Sequence, residues 1–134
     1  MQKRRSVLLV DDEALFLAAM AKVLGRHGLE VLTAPGGGEA LALLESADPD
    51  VVVLDVKMPG LDGLATLKEI KRRRPHAPVI LLTGHGTVES GQEALRQGAF
   101  DMQTKPVNVA KLLDLIEEAI RSRGLAEEAA RREG

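Results

Sequence analysis

The sequence has no cysteine, no tryptophan and no tyrosine, and its only aromatic side chains are Phe16 and Phe100. Without cysteine there is no disulfide, no thiolate metal site and no cysteine nucleophile, and folding does not require an oxidising compartment. With two rings in the whole chain, the stacking platforms on which single-stranded nucleic acids bind are missing. An excess of positive charge is missing too: 18 Lys and Arg stand against 20 Asp and Glu, a formal charge of −2, so no net field draws a polyphosphate backbone. Long apolar runs are also lacking. After the basic start at Lys3, Arg4 and Arg5 the aliphatic stretch ends at Val10, too short for a signal-peptide core or a membrane span. Direct nucleic-acid binding and membrane association are therefore not expected, and a cytoplasmic protein is.

The residues present make an ordinary globular composition, 45% hydrophobic and 28% charged over 134 residues, enough for one domain around one core. Three short aliphatic runs, Val7-Leu8-Leu9-Val10, Val51-Val52-Val53-Leu54 and Val79-Ile80-Leu81-Leu82, suit strands buried on both faces of a parallel sheet. Glu30 to Ala34 and Asp101 to Lys105 mix polar with apolar residues and are assigned to the edges. Between these runs lie segments of helical period. The first carries Ala14, Leu17, Ala18, Ala21 and Leu24 on one stripe and stops at Gly25 to Gly28. The second spans about Gly38 to Ser46, the third Gly63 to Arg74, and the fourth Val88 to Gln97 with Gly98 as its stop. The fifth starts at the N-cap Asn108 and points Val109, Leu112, Leu113, Ile116 and Ile120 inward. Strand and helix alternate five times, which predicts an α/β flavodoxin-like doubly wound five-stranded parallel sheet of order 2-1-3-4-5 with five helices. Residues 1–121 form the expected domain, and 122–134 an exposed helical tail or linker.

Ligands in such sheets bind beyond the carboxyl ends of the strands. There the sequence places Asp11 and Asp12 after the first strand, Asp55 after the third, Thr83 after the fourth, and Lys105 with Pro106 after the fifth. Any one of these residues has a plain structural explanation. Asp11, Asp12 and Asp62 are candidate helix caps, and Lys105 a solvated strand end. Four strand ends with complementary chemistry are harder to explain separately. Three converging carboxylates repel one another and call for a cation, and an all-oxygen donor set favours Mg²⁺. Asp55 then becomes a candidate nucleophile toward a phosphoryl donor, with Thr83 and Lys105 to bind the transferred oxygens.

Other features carry less. Gly36-Gly37-Gly38 lacks the spacing of a phosphate-binding fingerprint and reads as an edge loop. His27 and His76 have no companion at metal-ligand spacing, whereas His85 falls on the same rim as Thr83. Glu13 suits the positive end of the first helix dipole, and the run Lys71 to Arg74 complements the dipole at the end of the third helix.

The ordered set of Asp11-Asp12, Leu54-Asp55-Val56-Lys57-Met58-Pro59-Gly60-Leu61-Asp62-Gly63, Leu82-Thr83-Gly84-His85-Gly86 and Gly98-Ala99-Phe100-Asp101 leading to Lys105-Pro106 resembles the receiver domain of two-component response regulators. The wording is most similar to receivers of the nitrogen-regulation and dicarboxylate-transport type, over roughly residues 5–121. The resemblance implies a phosphoacceptor signalling domain, catalysing only its own phosphorylation and dephosphorylation. It implies that Asp55 accepts a phosphoryl group from a histidine kinase or phosphotransfer protein. It also implies that Asp12, Asp55 and the backbone carbonyl of Lys57 hold Mg²⁺, with Asp11 acting mainly through a water, and that Thr83 and Lys105 contact the phosphoryl oxygens. A cis peptide before Pro106 is expected, and Lys57 and His85 would set how fast water removes the group. Phosphorylation would switch the surface of the fourth helix, fifth strand and fifth helix toward an unknown output partner or domain, homodimerisation being one option. One departure stands out: Met102 occupies the position where the family usually carries an aromatic switch residue, followed by Gln103 where an apolar residue is commoner. Gly91, expected inside the fourth helix, costs that helix about 1 kcal/mol relative to alanine.

Overall fold

A computed structural model describes residues 5–56, 63–84 and 88–133. The chain runs β1 (Ser6–Val10), α1 (Ala14–Arg26), β2 (Glu30–Ala34), α2 (Gly37–Leu43), β3 (Val51–Asp55), α3 (Gly63–Arg73), β4 (Val79–Thr83), α4 (Val88–Arg96), β5 (Asp101–Thr104) and α5 (Val109–Glu133). The strands pair in parallel in the order β2-β1-β3-β4-β5, as the alternation of strand and helix predicts. β1, β3 and β4 are buried along their whole length, while β2 and β5 are partly open.

Side chains alternate across a strand, so the three aliphatic runs feed two cores. Leu8, Val10, Val52, Leu54, Val79 and Leu81 point to one face, where Ala40, Leu41 and Leu44 around α2, Leu67 and Ile70 of α3 and Ala94 of α4 cover them. Val7, Leu9, Val51, Val53, Ile80 and Leu82 point to the other, against Met20 and Leu24 of α1 and Leu112, Ile116 and Ala119 of α5. Each fully buried Leu or Ile in these clusters contributes on the order of 2 kcal/mol relative to exposure. The central strands are thus held rigidly enough to fix the polar residues at their carboxyl ends.

Several local expectations need correction. The buried face of α1 is Met20 and Leu24, with Phe16 and Leu17 packed beside them; Ala14 and Ala18 are exposed, because the stripe is rotated toward the larger side chains. Asp11 and Asp12 do not cap α1: Glu13 is the N-cap residue and makes no side-chain cap bond. Gly36-Gly37-Gly38 is not an edge loop. Gly36 is the N-cap of α2, and Gly37, buried, opens the helix, which ends at Leu43 rather than Ser46. Asn108 does cap α5, its Oδ1 accepting the Lys111 N–H at 3.0 Å. The candidate cap Asp62 lies outside the described residues. Gly28 and Gly98 adopt φ of 85° and 102°, conformations that glycine reaches without steric cost, just after α1 and α4.

The basic run ending α3 ties elements together. Lys71 Nζ donates to the carbonyls of Pro75 and Ala77, Arg73 to that of Leu41, and Arg74 to those of Leu44 and Ala47, so Arg73 and Arg74 satisfy carbonyls at the end of α2. α5 continues unbroken from the domain through residues 122–133, the segment expected to be a helical tail or linker. Its extension is fastened by Arg123, which donates to both carboxylate oxygens of Asp48 at 2.9 Å, to the Pro49 carbonyl and to Glu127.

This packing can be tested at two positions. A Cβ on Gly63 would lie 2.3 Å from Val56 Cα and 2.7 Å from its carbonyl oxygen. Gly63→Ala should therefore cost about 1–3 kcal/mol in urea denaturation, because backbone and not a flexible side chain must move. Arg123→Ala should speed amide exchange in the last turns of α5, while the global unfolding free energy changes by no more than about 1 kcal/mol.

Candidate functional site

The parallel register places the strand ends on one rim. Val10 pairs with Leu54, so Asp11, the residue after β1, stands level with Asp55, the last residue of β3. Asp55 pairs with Leu82 and Thr83 with Thr104, which brings Thr83 and the start of the β5–α5 connection alongside. Backbone bonds pin the rim: the Asp11 N–H donates to Ala34 at 3.1 Å, Val56 to Leu82 at 3.0 Å and Lys105 to Thr83 at 2.7 Å. The Lys105-Pro106 peptide is cis.

Asp11 and Asp55 are buried, at 0% and 3% exposure, and Thr83 is buried at 5%, whereas Asp12 is open to solvent. One oxygen from each of Asp11, Asp12 and Asp55 lies within 4.8 Å of the others. Lys105, its side chain mostly covered, reaches into this cluster. Its Nζ donates to Asp11 Oδ2 at 2.8 Å and stands 3.5 Å from Asp55 Oδ2 and 3.6 Å from Glu13 Oε1. Asp11 Oδ1 is used separately, accepting the Glu13 N–H at 2.9 Å. Burial pulls the Lys105 ammonium toward neutrality, but the hydrogen bond with Asp11 and the charges of Asp11, Asp55 and Glu13 outweigh it and raise its pKa above the usual lysine value.

The donor set is all hard oxygen, with two buried carboxylates and one that faces water. That combination suits a small divalent cation that keeps part of its hydration shell. Of the residues singled out from sequence, Asp11, Asp12, Asp55, Thr83 and Lys105 come together at this rim; Lys57 and His85 lie outside the described residues. His27 follows α1 and His76 sits in the α3–β4 turn, neither of them at a carboxyl end of a strand. Two contributors escape the sequence pattern. Glu13 reads there as a helix-dipole residue, yet its carboxylate is within reach of Lys105. Phe16 stands out there only for its rarity, yet its ring centroid lies 4.4 Å from the Lys105 ammonium. Helical spacing gives no signal for Phe16, because Asp12 and Glu13 precede Ala14, the first residue of α1.

A five-stranded parallel sheet with carboxylates at the ends of its first and third strands, and a lysine and a cis proline after its fifth, defines a flavodoxin-like fold with an acidic rim. The chain belongs to the response regulator receiver domain family, whose model matches residues 7–117. It is 42% identical over 118 residues to the DNA-binding transcriptional regulator NtrC of Salmonella typhimurium, covering 88% of this chain and 25% of that protein. It is 36% identical over 122 residues to the regulatory protein AtoC of Escherichia coli, covering 91% of this chain and 26% of that one. Among solved structures it is similar to a CheY-like receiver domain protein of Methanospirillum hungatei (TM-score 0.88, 30% identity, 92% of this chain and 99% of that one). It is likewise similar to NtrX of Brucella abortus (TM-score 0.88, 36% identity, 96% of this chain and 29% of that one). The chain thus spans about a quarter of the length of the curated relatives it matches. No helix among the described residues is long and apolar enough to cross a membrane.

The electrostatics give an ordering that can be measured. Lys105→Met removes the ammonium that bonds Asp11 and stands within reach of Asp55 and Glu13, and should cost about 1–3 kcal/mol of stability in metal-free, low-salt buffer. Asp11→Asn should cost less, because Asn retains the oxygen that accepts the Glu13 N–H while Lys105 keeps Asp55 and Glu13 within reach. Since the folded-state pKa of Lys105 is raised, its contribution is intact at neutral pH and disappears as pH rises through that value. Denaturation of both variants across pH checks the ordering and its sign.

Proposed function

We propose that this receiver accepts a phosphoryl group on Asp55 from the phosphohistidine of a histidine kinase or phosphotransfer protein. The observation that carries the reading is the meeting of three carboxylates within 4.8 Å of one another at the sheet rim, with one mostly covered lysine among them. Asp11, Asp12 and Asp55 are the residues that would hold Mg²⁺, together with the backbone carbonyl of Lys57 that the family resemblance adds. When bound, the ion neutralises charge on the phosphoryl oxygens and on the carboxylates around them.

The protein's own side chains do the rest. An Asp55 carboxylate oxygen attacks the phosphorus in line with the departing imidazole nitrogen; the new O–P bond forms as the N–P bond breaks, and the imidazole leaves with the bonding pair. The burial of Asp55 excludes most water from its carboxylate, which favours a positioned donor over hydrolysis. Lys105 gives up its bond to Asp11 and pairs with a phosphoryl oxygen, while the Thr83 hydroxyl donates to another. The chemistry is confined to the protein's own phosphorylation and dephosphorylation, and Lys57 and His85 are the residues that the family resemblance assigns to setting how fast water removes the group.

The product adds a charge near −2 next to Lys105 and Thr83. Thr83 ends β4 and Lys105 follows β5, so their shift reaches α4, β5 and α5, the surface assigned to signalling. Met102 of β5, in place of an aromatic residue, packs with the core cluster on the α4 side, and its Cε lies 3.0 Å from where a Cβ on Gly91 would stand. Residues 1–121 act as the receiver and 122–134 as a helical tail or linker, in the cytoplasm. Homodimerisation on phosphorylation is one option for the output.

Incubation with acetyl phosphate and Mg²⁺ should add one phosphoryl group to the intact mass. The gain should be absent from Asp55→Asn and in the presence of a chelator. A gain that persists in Asp55→Asn would place the acceptor elsewhere and overturn the assignment.

A further inference from the structure

Phe16 and Lys105 come from opposite ends of the chain, yet the Lys105 ammonium lies 4.4 Å from the centroid of the Phe16 ring. That is well inside the ~6 Å over which a ring face attracts a cation. Phe16 is half-buried, packed with Leu17 against the cluster formed by β1, β3, β4, α1 and α5, so the ring has a fixed backing. We propose that Phe16 is a positioning residue: its ring face holds the Lys105 ammonium between Asp11 and Asp55 and lets it change carboxylate partners without leaving the site. The consequence for phosphoryl transfer rests on the phosphoacceptor role of Asp55 proposed above; the positioning itself does not.

The physical reason lies in what the carboxylates alone would do. Lys105 is nearest Asp11, at 2.8 Å, while Asp55 and Glu13 compete at 3.5 and 3.6 Å. Asp11 is buried, but the Glu13 side chain is 67% exposed. If only hydrogen-bond acceptors set its place, an ammonium released from Asp11 would have an outward route to Glu13 and water as well as an inward one to Asp55. A ring face attracts the cation through its quadrupole and takes no share of the directed N–H bonds. Its attraction changes little over the shift of about 1 Å or less that would bring Nζ from 3.5 Å to hydrogen-bond distance of Asp55 Oδ2, so it acts as a pivot. It also covers the ammonium on one side, which strengthens the remaining charge interactions. No aliphatic residue of similar size provides the attraction.

The test separates ring electrostatics from ring shape. Phe16 is replaced site-specifically by mono-, di- and trifluorinated phenylalanine, which keep the packing and progressively weaken the quadrupole, and by Phe16→Tyr and Phe16→Leu. Two readouts are taken: the nitrogen NMR resonance of the Lys105 ammonium in metal-free, unphosphorylated protein, and the rate of phosphoryl gain from acetyl phosphate with Mg²⁺. The resonance should move stepwise with fluorination and the rate should fall with it. Phe16→Tyr should stay within about twofold of the parent rate, and Phe16→Leu should be slower by about three- to tenfold. A resonance that does not respond to fluorination overturns the positioning role, and a rate that does not respond overturns its part in transfer. If the parent protein gains no phosphoryl group, the phosphoacceptor reading fails while the resonance series still decides the positioning.

Discussion

The bond between Lys105 and Asp11 is the constraint around which the rim is built. A carboxylate with no exposure, placed beside a second at 3% exposure, is compensated by an ammonium that reaches both, at 2.8 and 3.5 Å. The lysine comes from the far end of the sheet in sequence, so the pair exists only when β1, β3, β4 and β5 are in register. The folded sheet therefore carries a poised arrangement in which one cation neutralises two acids and remains able to exchange partners. The proposed chemistry uses that property, because a phosphoryl group arriving on Asp55 offers Lys105 a more highly charged acceptor than Asp11.

The aliphatic strands supply the rigidity that such an arrangement needs. Each of β1, β3 and β4 is buried on both faces, and the polar residues begin where the strands end. The weaker elements lie toward the proposed output. β5 is only partly buried, Gly91 lies within α4, and Gln103 keeps a buried Oε1 with no partner among the described residues while its Nε2 donates to the Asn108 carbonyl. A site held firmly by its core and loosely by its proposed signalling face suits a switch. Converting a population that is ~1% active to ~99% takes about 5.5 kcal/mol of differential stabilisation, within reach of a few charge-assisted hydrogen bonds.

Much of this is legible in the sequence because the underlying signals are strong. Four-residue aliphatic runs alternating with helical periods leave little choice but a parallel doubly wound sheet, and the two mixed runs, Glu30 to Ala34 and Asp101 to Lys105, identify the edges. The rim residues are legible for the same reason, being charged or hydroxyl-bearing residues directly after strands of pure Val, Leu and Ile. Reading fails where alanine and glycine dominate. In α1 the small side chains Ala14 and Ala18 mimic a core stripe that belongs to Phe16, Met20 and Leu24, and in α2 two glycines conceal the first helical turn. The tether of Arg123 to Asp48 and the approach of Phe16 to Lys105 are long-range contacts with no local pattern, so only the folded chain displays them.

The central claim is that Lys105 neutralises a carboxylate cluster built for a divalent cation. Calorimetric titration of Mg²⁺ into the unphosphorylated protein, beside Asp12→Asn and Lys105→Met, tests it most directly. Asp12→Asn should bind more weakly than the parent, having lost the solvent-facing carboxylate, and Lys105→Met more tightly, having lost the ammonium that competes for Asp11 and Asp55. Absence of binding by the parent at millimolar Mg²⁺, or equal affinity in all three proteins, would contradict it.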